Sequence, residues 1–351
     1  MSRYQFCNRP AYFRQLATAI AQAGTGDRVG LATMVLDQRD PLVLDIIVEL
    51  TAAAHRGAEI YFVVDALSFM LSGEPRQFGP LWYSRSLAAA PGLYGERFKL
   101  LENLRLAGGH YAVINQPRHR FSLPVAGRSH IKTAVINNRV YIGGHNLDSA
   151  DRIDLMTFWD NHKTADIIFG FLQQVVAAGA VRKVYKSDQR FKLSQTDDLL
   201  IDAGQRHTSL ILDEALTLID DSKDWLYMTC QYFPGGLTGR HLQAAMRRGV
   251  KVTLIFSPPK IHGAERLGHQ LYEWAERLRL SPDLFTHKLP NDAPKLHAKL
   301  IATEQGAIIG SHNYVDQGVW LGTAEIALLR RDPAFAKAAV QAIQTELKDY
   351  I

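Results

Sequence analysis

Residues 129–146 read SHIKTAVINNRVYIGGHN, and residues 296–313 read LHAKLIATEQGAIIGSHN. Each stretch sets a histidine and a lysine two residues apart and continues through apolar residues. Each then passes a short polar turn and ends in Gly-Gly-His-Asn or Gly-Ser-His-Asn. Because both phrases carry the same residue types at the same spacing, they predict an internal duplication of the chain.

The segments before these two phrases also resemble each other. Residues 42–64 and 237–256 each contain an amphipathic helix, a basic residue, a glycine and a β-branched strand. Gly57 and Gly249 are the residues expected where a helix ends in a left-handed conformation. Another helix and strand precede each unit. The order predicts an α/β fold with two repeated lobes, each a mixed β-sheet flanked by helices.

The two copies differ in length. Gly57 and Gly249 are 192 residues apart, whereas His130 and His297 are 167 apart, so the first copy holds 25 extra residues. They fall at 68–99, which we interpret as a lid or membrane-touching loop, or as an insertion with a small core of its own. The predicted organisation is an N-terminal lobe (1–182), a polar linker (183–205) and a C-terminal lobe (206–351).

Bulk composition is that of a globular protein with a slight basic excess. The chain has 351 residues, 47% of them hydrophobic, and a formal net charge of +5. That charge suits an anionic partner such as a phosphate, a lipid headgroup or a nucleic acid. The N-terminus has no apolar signal region and no apolar run is long enough to span a bilayer, so a cytoplasmic location, peripheral at the membrane's inner face, is expected.

The repeated phrase gathers three kinds of polar group. Residues two apart on a strand share a face, so each histidine emerges beside its lysine. A hairpin return then brings the terminal asparagine back near the histidine. The predicted clusters are His130, Lys132 and Asn146 in one copy and His297, Lys299 and Asn313 in the other.

Two such clusters facing each other would grip a phosphate between two imidazoles. One neutral histidine attacks phosphorus, and the other donates a proton to the leaving oxygen. The lysines and asparagines stabilise the charge on the phosphoryl oxygens. The sequence offers no convincing set of metal ligands, so we expect neither a metal nor another cofactor.

Both phrases resemble the HKD motif of the phospholipase D superfamily, H-x-K-x4-D followed by G-[SG]-x-N. Arg128 before the first motif and FWDNH at 158–162 are similar to the N-terminal half of bacterial cardiolipin synthases. The resemblance implies two lobes packed about a pseudo-twofold axis. It also implies phosphatidyl transfer from a phospholipid to an alcohol or water through a phosphohistidine. His130 would be the nucleophile and His297 the general acid and base.

The same resemblance implies a carboxylate that orients each histidine. Asp160 follows His130 by 30 residues and Glu325 follows His297 by 28, and these two are the candidates. The motif's usual aspartate is replaced by Asn137 in one copy and Glu304 in the other. In the hairpin prediction both positions lie at the turn, too far away to touch phosphate, so both changes are expected to be tolerated.

The sequence raises two alternatives to a lipid-acting enzyme. The substrate could be a nucleic acid, although the basic clusters, such as RHR at 118–120, are short. A non-catalytic binding module would not need both His-Lys pairs. Peripheral membrane contact is expected from Trp82 and Tyr83, whereas we interpret the helix HQLYEWAERLRL (269–280) as plain core packing. The sequence does not indicate the oligomeric state.

Overall fold

The computed structural model describes residues 4–68, 93–116, 126–149, 151–179, 185–258 and 264–351, with the backbone alone for 93–97 and 264–266. In these ranges two β-sheets, each flanked by helices, form two lobes. The predicted α/β fold class is therefore confirmed. None of the helices in these ranges is long and apolar enough to cross a bilayer.

The N-terminal lobe holds seven strands of one sheet and a short eighth strand outside it. The strands are β1 (Gln5–Cys7), β2 (Arg28–Thr33), β3 (Glu59–Asp65), β4 (His110–Ile114), β5 (Thr133–Ile136), β6 (Arg139–Gly143), β7 (Arg152–Ile153) and β8 (Met156–Asp160). The helices are α1 (Arg9–Gln22), α2 (Pro41–His55), α3 (Leu93–Leu106) and α4 (His162–Ala178). The sheet order is β1-β8-β6-β5-β2-β3-β4, with β2, β3 and β4 parallel to one another.

The C-terminal lobe repeats this arrangement. Its strands are β9 (Gln189–Lys192), β10 (Asp197–Ala203), β11 (Trp225–Cys230), β12 (Lys251–Phe256), β13 (His287–Lys288), β14 (Lys295–Leu296), β15 (Leu300–Thr303), β16 (Gly306–Gly310) and β17 (Ala324–Arg330). Its helices are α5 (Leu210–Asp221), α6 (Gly236–Arg247), α7 (Ala264–Arg277), α8 (Asp316–Leu321) and α9 (Pro333–Leu347), with a 3-10 turn at Pro282–Phe285. The sheet order is β13-β12-β11-β15-β16-β17-β10-β9.

Strand for strand, the two sheets correspond. Read in reverse, the second sheet runs β10-β17-β16-β15-β11-β12-β13, and these strands match β1-β8-β6-β5-β2-β3-β4 of the first sheet one by one. The second sheet has one further strand, β9, at its outer edge. The helix ends also correspond, since Gly57 has φ 90° and Gly249 has φ 91°. Both glycines thus stop their helices in the left-handed region that other residues adopt only with strain. The duplication read from the sequence is present in the fold.

The predicted linker at 183–205 needs correction, because β9 and β10 lie inside it and belong to the second sheet. The acidic start of β10 made the segment look like a solvated connection. In the structure Asp197 pairs with Arg330, and Asp198 pairs with Arg190 and Arg331. These ion pairs neutralise the buried carboxylates, so a charged segment becomes a fully buried strand.

The described residues form three apolar cores. One lies beneath α1 and α2 on the outer face of the first sheet, and a second lies beneath α5 and α6 on the second. The third is shared, since residues from the inner faces of both sheets pack together with α4 and α9. The shared core joins the lobes into one body and fixes how their facing edges meet.

The insertion predicted at 68–99 lies mostly outside the described residues, as do Trp82, Tyr83 and Arg118–Arg120. Only its first residue, Ser68, and its end, at the start of α3, fall within them. Ser68 is buried, and its hydroxyl accepts from Leu36 N and donates to Leu36 O.

Candidate active site

The two motif histidines lie where the lobes meet. Each precedes the first strand of its hairpin, and its backbone N–H donates to the opposite lobe. His130 N donates to Ala324 O at 2.8 Å, and His297 N donates to Ile153 O at 2.7 Å. A short parallel pairing supports each contact, β14 with β7 in one case and a Ser129–Ala324 bridge in the other. The reciprocal bonds bring both histidines to one seam.

A carboxylate from the other lobe stands behind each imidazole. His130 Nδ1 lies 3.1 Å from Glu325 Oε1, and His297 Nδ1 lies 2.5 Å from Asp154 Oδ2. Asp154 and Glu325 directly follow Ile153 and Ala324, the residues whose carbonyls accept the histidine N–H groups. Because both contacts use Nδ1, each ring keeps Nε2 available for chemistry.

The assignment of Asp160 as an orienting carboxylate is wrong. Asp160 ends β8 opposite Arg139 and forms an ion pair with that arginine at 2.9 Å. The opposite end of β8, at Met156, is the end that lies next to the motif, and Asp160 is four residues from it, or about 13 Å along an extended strand. The carboxylate in this role is Asp154, only 24 residues after His130. Glu325 has the predicted kind of contact, but with His130 of the other copy.

The residue after the first motif glycine differs between the copies to suit the carboxylate. An ideal Cβ on Gly144 would lie 2.1 Å from Asp154 Oδ1, so only glycine leaves room for this carboxylate. In the second copy Ser311 takes that place, and its hydroxyl donates to Glu325 Oε2. Gly144 therefore leaves space for the Asp154 carboxylate, and Ser311 positions the Glu325 carboxylate with a hydrogen bond.

Both motif lysines are buried, each with about 1% of its surface exposed. Lys132 Nζ donates to His130 O at 2.8 Å, and Lys299 Nζ donates to His297 O. Each lysine therefore hydrogen-bonds the backbone carbonyl of its own histidine and places its ammonium group beside that residue. The carboxylates of Asp154 and Glu325 offset the two buried positive charges.

Burial sets the protonation of these groups. Burial lowers the pKa of His130, which the nearby Glu325 carboxylate opposes, and it lowers the pKa of His297 further, with Lys299 adding to the effect. Burial also lowers the pKa of Lys132 to about 8 and that of Lys299 well below its usual range. Both imidazoles are therefore neutral near pH 7 in the free protein.

The pKa values of the two carboxylates are lowered as well, but by their positive neighbours and against the effect of burial. Burial alone would raise the pKa of Glu325, but His130 and other positive neighbours bring it to about 2. Burial would likewise raise the pKa of Asp154, yet His297, His145 and Lys299 hold it well below its usual range. Both carboxylates stay ionised and can stabilise an imidazolium as it forms.

The motif asparagines are less closely engaged. Asn146 is buried, and its Oδ1 accepts from Val35 N at 3.4 Å. Asn313 Oδ1 is buried without a hydrogen-bond partner among the described residues. The structure places both amides after the returning strand, as predicted, and their contact with phosphate stays a prediction. His145 and His312, the residues before them, are buried near Asp154 and Glu325, whose charges raise their pKa values against the larger lowering by burial.

Sequence reasoning missed Asp154 and also Arg152. Arg152 forms an ion pair with Asp148 at 2.9 Å, and about a quarter of its side chain is exposed. Its charge is close enough to lower the pKa values of Lys132, His297 and Lys299. The sequence signal for both residues was the DRID run at 151–154, which begins β7. Only the pairing of β7 with β14 shows that this run belongs to the site.

The two unusual motif residues lie at the hairpin turns, as predicted. Asn137 Oδ1 accepts from Arg28 N and its Nδ2 donates to Asp27 Oδ1. Glu304 accepts backbone bonds from Lys223, Asp224 and Trp225. Both side chains therefore tie their hairpin to the start of the neighbouring parallel strand, β2 or β11.

The site thus combines two histidines with free Nε2 atoms, two buried lysines and two ionised carboxylates. This set can attack a phosphorus atom, stabilise its oxygens and exchange one proton. Within the described ranges no three His, Cys, Asp or Glu side chains are grouped so as to hold a metal ion.

Comparison with known proteins finds similarities in both sequence and fold. Residues 215–348 match a family model described as cardiolipin synthase, PLD-like domain. The fold is similar to phosphatidylserine synthase from Haemophilus influenzae Rd KW20, with a TM-score of 0.67 and 14% identity, covering 99% of this chain and 86% of that one. It is also similar to polyphosphate kinase from Porphyromonas gingivalis, with a TM-score of 0.57 and 13% identity, covering 99% of this chain and 50% of that one. No curated protein matches the sequence.

Proposed function

We propose that the chain is an enzyme of the phospholipase D superfamily that transfers a phosphatidyl group between alcohols, in the manner of a cardiolipin synthase. The match of residues 215–348 to a PLD-like domain and the similarity of the fold to a phosphatidylserine synthase support this proposal. The observation that carries the proposal is the reciprocal seam in which a carboxylate of each lobe holds the histidine of the other. The match of the C-terminal half to a cardiolipin synthase-type domain supports a phospholipid as substrate.

In the first step His130 Nε2 attacks phosphorus. A nitrogen–phosphorus bond forms, the bond to the leaving alcohol oxygen breaks, and His297 donates its proton to that oxygen. The greater exposure of the His130 side chain, 22% against 9% for His297, supports its role as nucleophile. The bound phosphodiester anion and the Asp154 carboxylate both favour the imidazolium form of His297.

In the second step an alcohol or water gives its proton to His297 and attacks phosphorus. The phosphohistidine bond breaks, which restores neutral His130 and protonated His297. Lys132 and Lys299 stabilise the negative phosphoryl oxygens in both steps, and Asn146 and Asn313 add amide donors. Because these groups supply the electrostatic stabilisation, the scheme uses neither a metal nor another cofactor.

The partners of this reaction are a phospholipid donor and an alcohol or water acceptor, met at the surface of a membrane. The enzyme would act peripherally at the inner face of the cytoplasmic membrane. The competing candidate is a phosphodiesterase acting on nucleic acid, since the same site chemistry would cleave that backbone.

The experiment is parallel incubation with phosphatidylglycerol, phosphatidylcholine and single-stranded DNA, with products resolved by mass. We expect phosphatidyl transfer or hydrolysis with lipid and intact DNA. Cleavage of DNA alone would overturn the lipid assignment. The variants His130→Ala and His297→Ala serve as controls, and each should abolish turnover of any substrate that is cleaved.

A further inference from the structure

Helix α7 exposes apolar side chains and buries charged ones, the opposite of an ordinary surface helix. Four large apolar side chains of this segment are exposed: Leu267 (57%), Leu271 (56%), Trp274 (61%) and Leu278 (70%). They follow one another at four, three and four residues, so they form one stripe along the helix. The interpretation of residues 269–280 as plain core packing is therefore wrong for this stripe.

The buried face of α7 carries the polar groups. Glu273 and Glu276 are 7% and 5% exposed. Glu273 pairs with Lys288 at 2.8 Å, and Glu276 Oε2 accepts from Gly236 N at 3.1 Å. These charge-assisted bonds hold the helix to the lobe by its polar side. The apolar side faces solvent because the opposite face is the one that is anchored.

The exposed face combines apolar surface with positive charge. Over residues 267–279 both carboxylates are buried, and the partly exposed Arg277 and Arg279 form ion pairs with them, at 2.8 Å to Glu273 and 3.6 Å to Glu276. Lys288 also pairs with Glu273, so three cations meet two carboxylates and leave a net positive charge beside the stripe. A surface of leucine, tryptophan and arginine complements an anionic lipid bilayer, where apolar side chains insert and cations meet the headgroups.

The same helix connects to the active site. His269 stacks on Tyr232 with ring centroids 4.4 Å apart. The Tyr232 hydroxyl in turn accepts from Lys295 Nζ at 3.1 Å, and Lys295 lies two residues before His297. The apolar stripe is therefore attached to the strand that leads into the catalytic motif.

We propose that the stripe Leu267–Leu271–Trp274–Leu278 docks the enzyme on an anionic phospholipid bilayer, with the active site held at its surface. The proposal rests on the proposed function for the reason that a membrane-borne substrate requires such docking. Four partly exposed side chains on one helix offer less surface than the roughly 800 Å² per partner that a stable protein–protein interface buries. A bilayer accepts a surface of this size, because insertion needs no matching partner.

The test measures co-sedimentation of the full chain with vesicles of phosphatidylglycerol and phosphatidylcholine, for wild type and for the double variant Leu271→Gln/Trp274→Gln. The matched control is Val48→Gln/Leu106→Gln, which changes two exposed apolar residues of the other lobe. We expect the first variant to lose at least tenfold in vesicle affinity and the control to bind as wild type does.

A soluble phosphodiester, bis(4-nitrophenyl) phosphate, separates docking from catalysis. Its turnover should be unchanged in the double variant, since the substituted side chains are exposed to solvent and are not part of the proposed catalytic set. Equal vesicle binding by wild type and double variant, or no binding by wild type, would overturn the docking surface whatever substrate is cleaved. Loss of a wild-type dimer in the same variant, measured by analytical ultracentrifugation, would assign the stripe to self-association and also overturn the proposal.

Discussion

At His297, a carboxylate from the opposite lobe decides which nitrogen can react. Asp154 Oδ2 sits 2.5 Å from Nδ1, a contact that favours the proton on Nδ1, and in the proposed reaction Nε2 is then the nitrogen that faces the substrate. The carboxylate also stabilises the imidazolium that must form before the leaving group is protonated. At the scale of single residues, Asp154 matters to the proposed chemistry nearly as much as the histidine itself.

Asp154→Asn should lower kcat by about 10³-fold with a small change in KM, because the amide can leave the imidazole in the wrong tautomer and removes the compensating charge. Steady-state kinetics measure it. Asp160→Asn is the matched control, since that carboxylate pairs with Arg139 at the far end of β8. A large loss in the Asp160 variant, with full activity for Asp154→Asn, would reverse the assignment.

The pH profile should report Lys132. Its pKa is lowered to about 8 by burial, so the ammonium is present below pH 8 and lost above it. Because the free enzyme's groups appear in kcat/KM, and the scheme also uses protonated His297, this parameter should fall with rising pH and fall more steeply above about 8. An ordinary lysine would titrate about two units higher. A flat profile between pH 7 and 9.5 would mean that the ammonium does not act on the substrate.

At the scale of elements, the β5–β6 and β15–β16 hairpins carry the catalytic motif and fasten it to the parallel strands. Asn137 and Glu304, the two residues that differ from the motif, form part of these hydrogen-bonded connections. Asn137 bridges to Asp27 through its amide N–H, and an aspartate at 137 would instead face the Asp27 carboxylate. The departure from the family pattern is thus matched to a neighbour on another turn.

Asn137→Asp should therefore lower the free energy of unfolding by about 1 kcal/mol, through a lost hydrogen bond and a new like-charge contact. Activity per folded molecule should stay unchanged, because the turn is remote from phosphate. Chemical denaturation measures the stability. Adding Asp27→Asn should recover most of the loss, and an unchanged deficit in the double variant would exclude this pairing as its cause.

Elements were predictable where local pattern determines them. The helix–glycine–strand units, the two hairpins and the turn positions of Asn137 and Glu304 all follow from spacing and periodicity. Asp154 was not predictable in this way, since its role depends on β7 pairing with a strand of the other lobe. The amphipathic pattern of α7 was visible in sequence, but which face the lobe would hold depends on Lys288 and Gly236, both distant in sequence.

At the scale of the whole molecule, duplication explains why one site needs both halves. Each lobe supplies a histidine and a lysine, together with the carboxylate for the other lobe's histidine. Two lysines and two carboxylates leave the proposed site close to neutral before substrate arrives. The shared core keeps these parts in register, so neither lobe contains a complete site.

The proposed scheme has a further consequence for the intact enzyme. Since histidines, lysines and amides carry all the charge stabilisation, turnover should be unaffected by EDTA. The check is phosphodiesterase activity after extended dialysis against the chelator. Loss of activity, followed by recovery on adding one divalent ion, would contradict the scheme.

The central claim is a covalent bond between phosphorus and a histidine at the lobe boundary. The most direct measurement is rapid quenching during turnover of a headgroup-diverse phospholipid panel, followed by peptide mass analysis under alkaline conditions that preserve phosphohistidine. We predict a phosphatidyl adduct on His130 in the wild type that is absent from His130→Ala and strongly reduced in His297→Ala, because His297 protonates the leaving oxygen as the adduct forms. Full turnover by His130→Ala, or an adduct on a serine or carboxylate instead, would contradict the account.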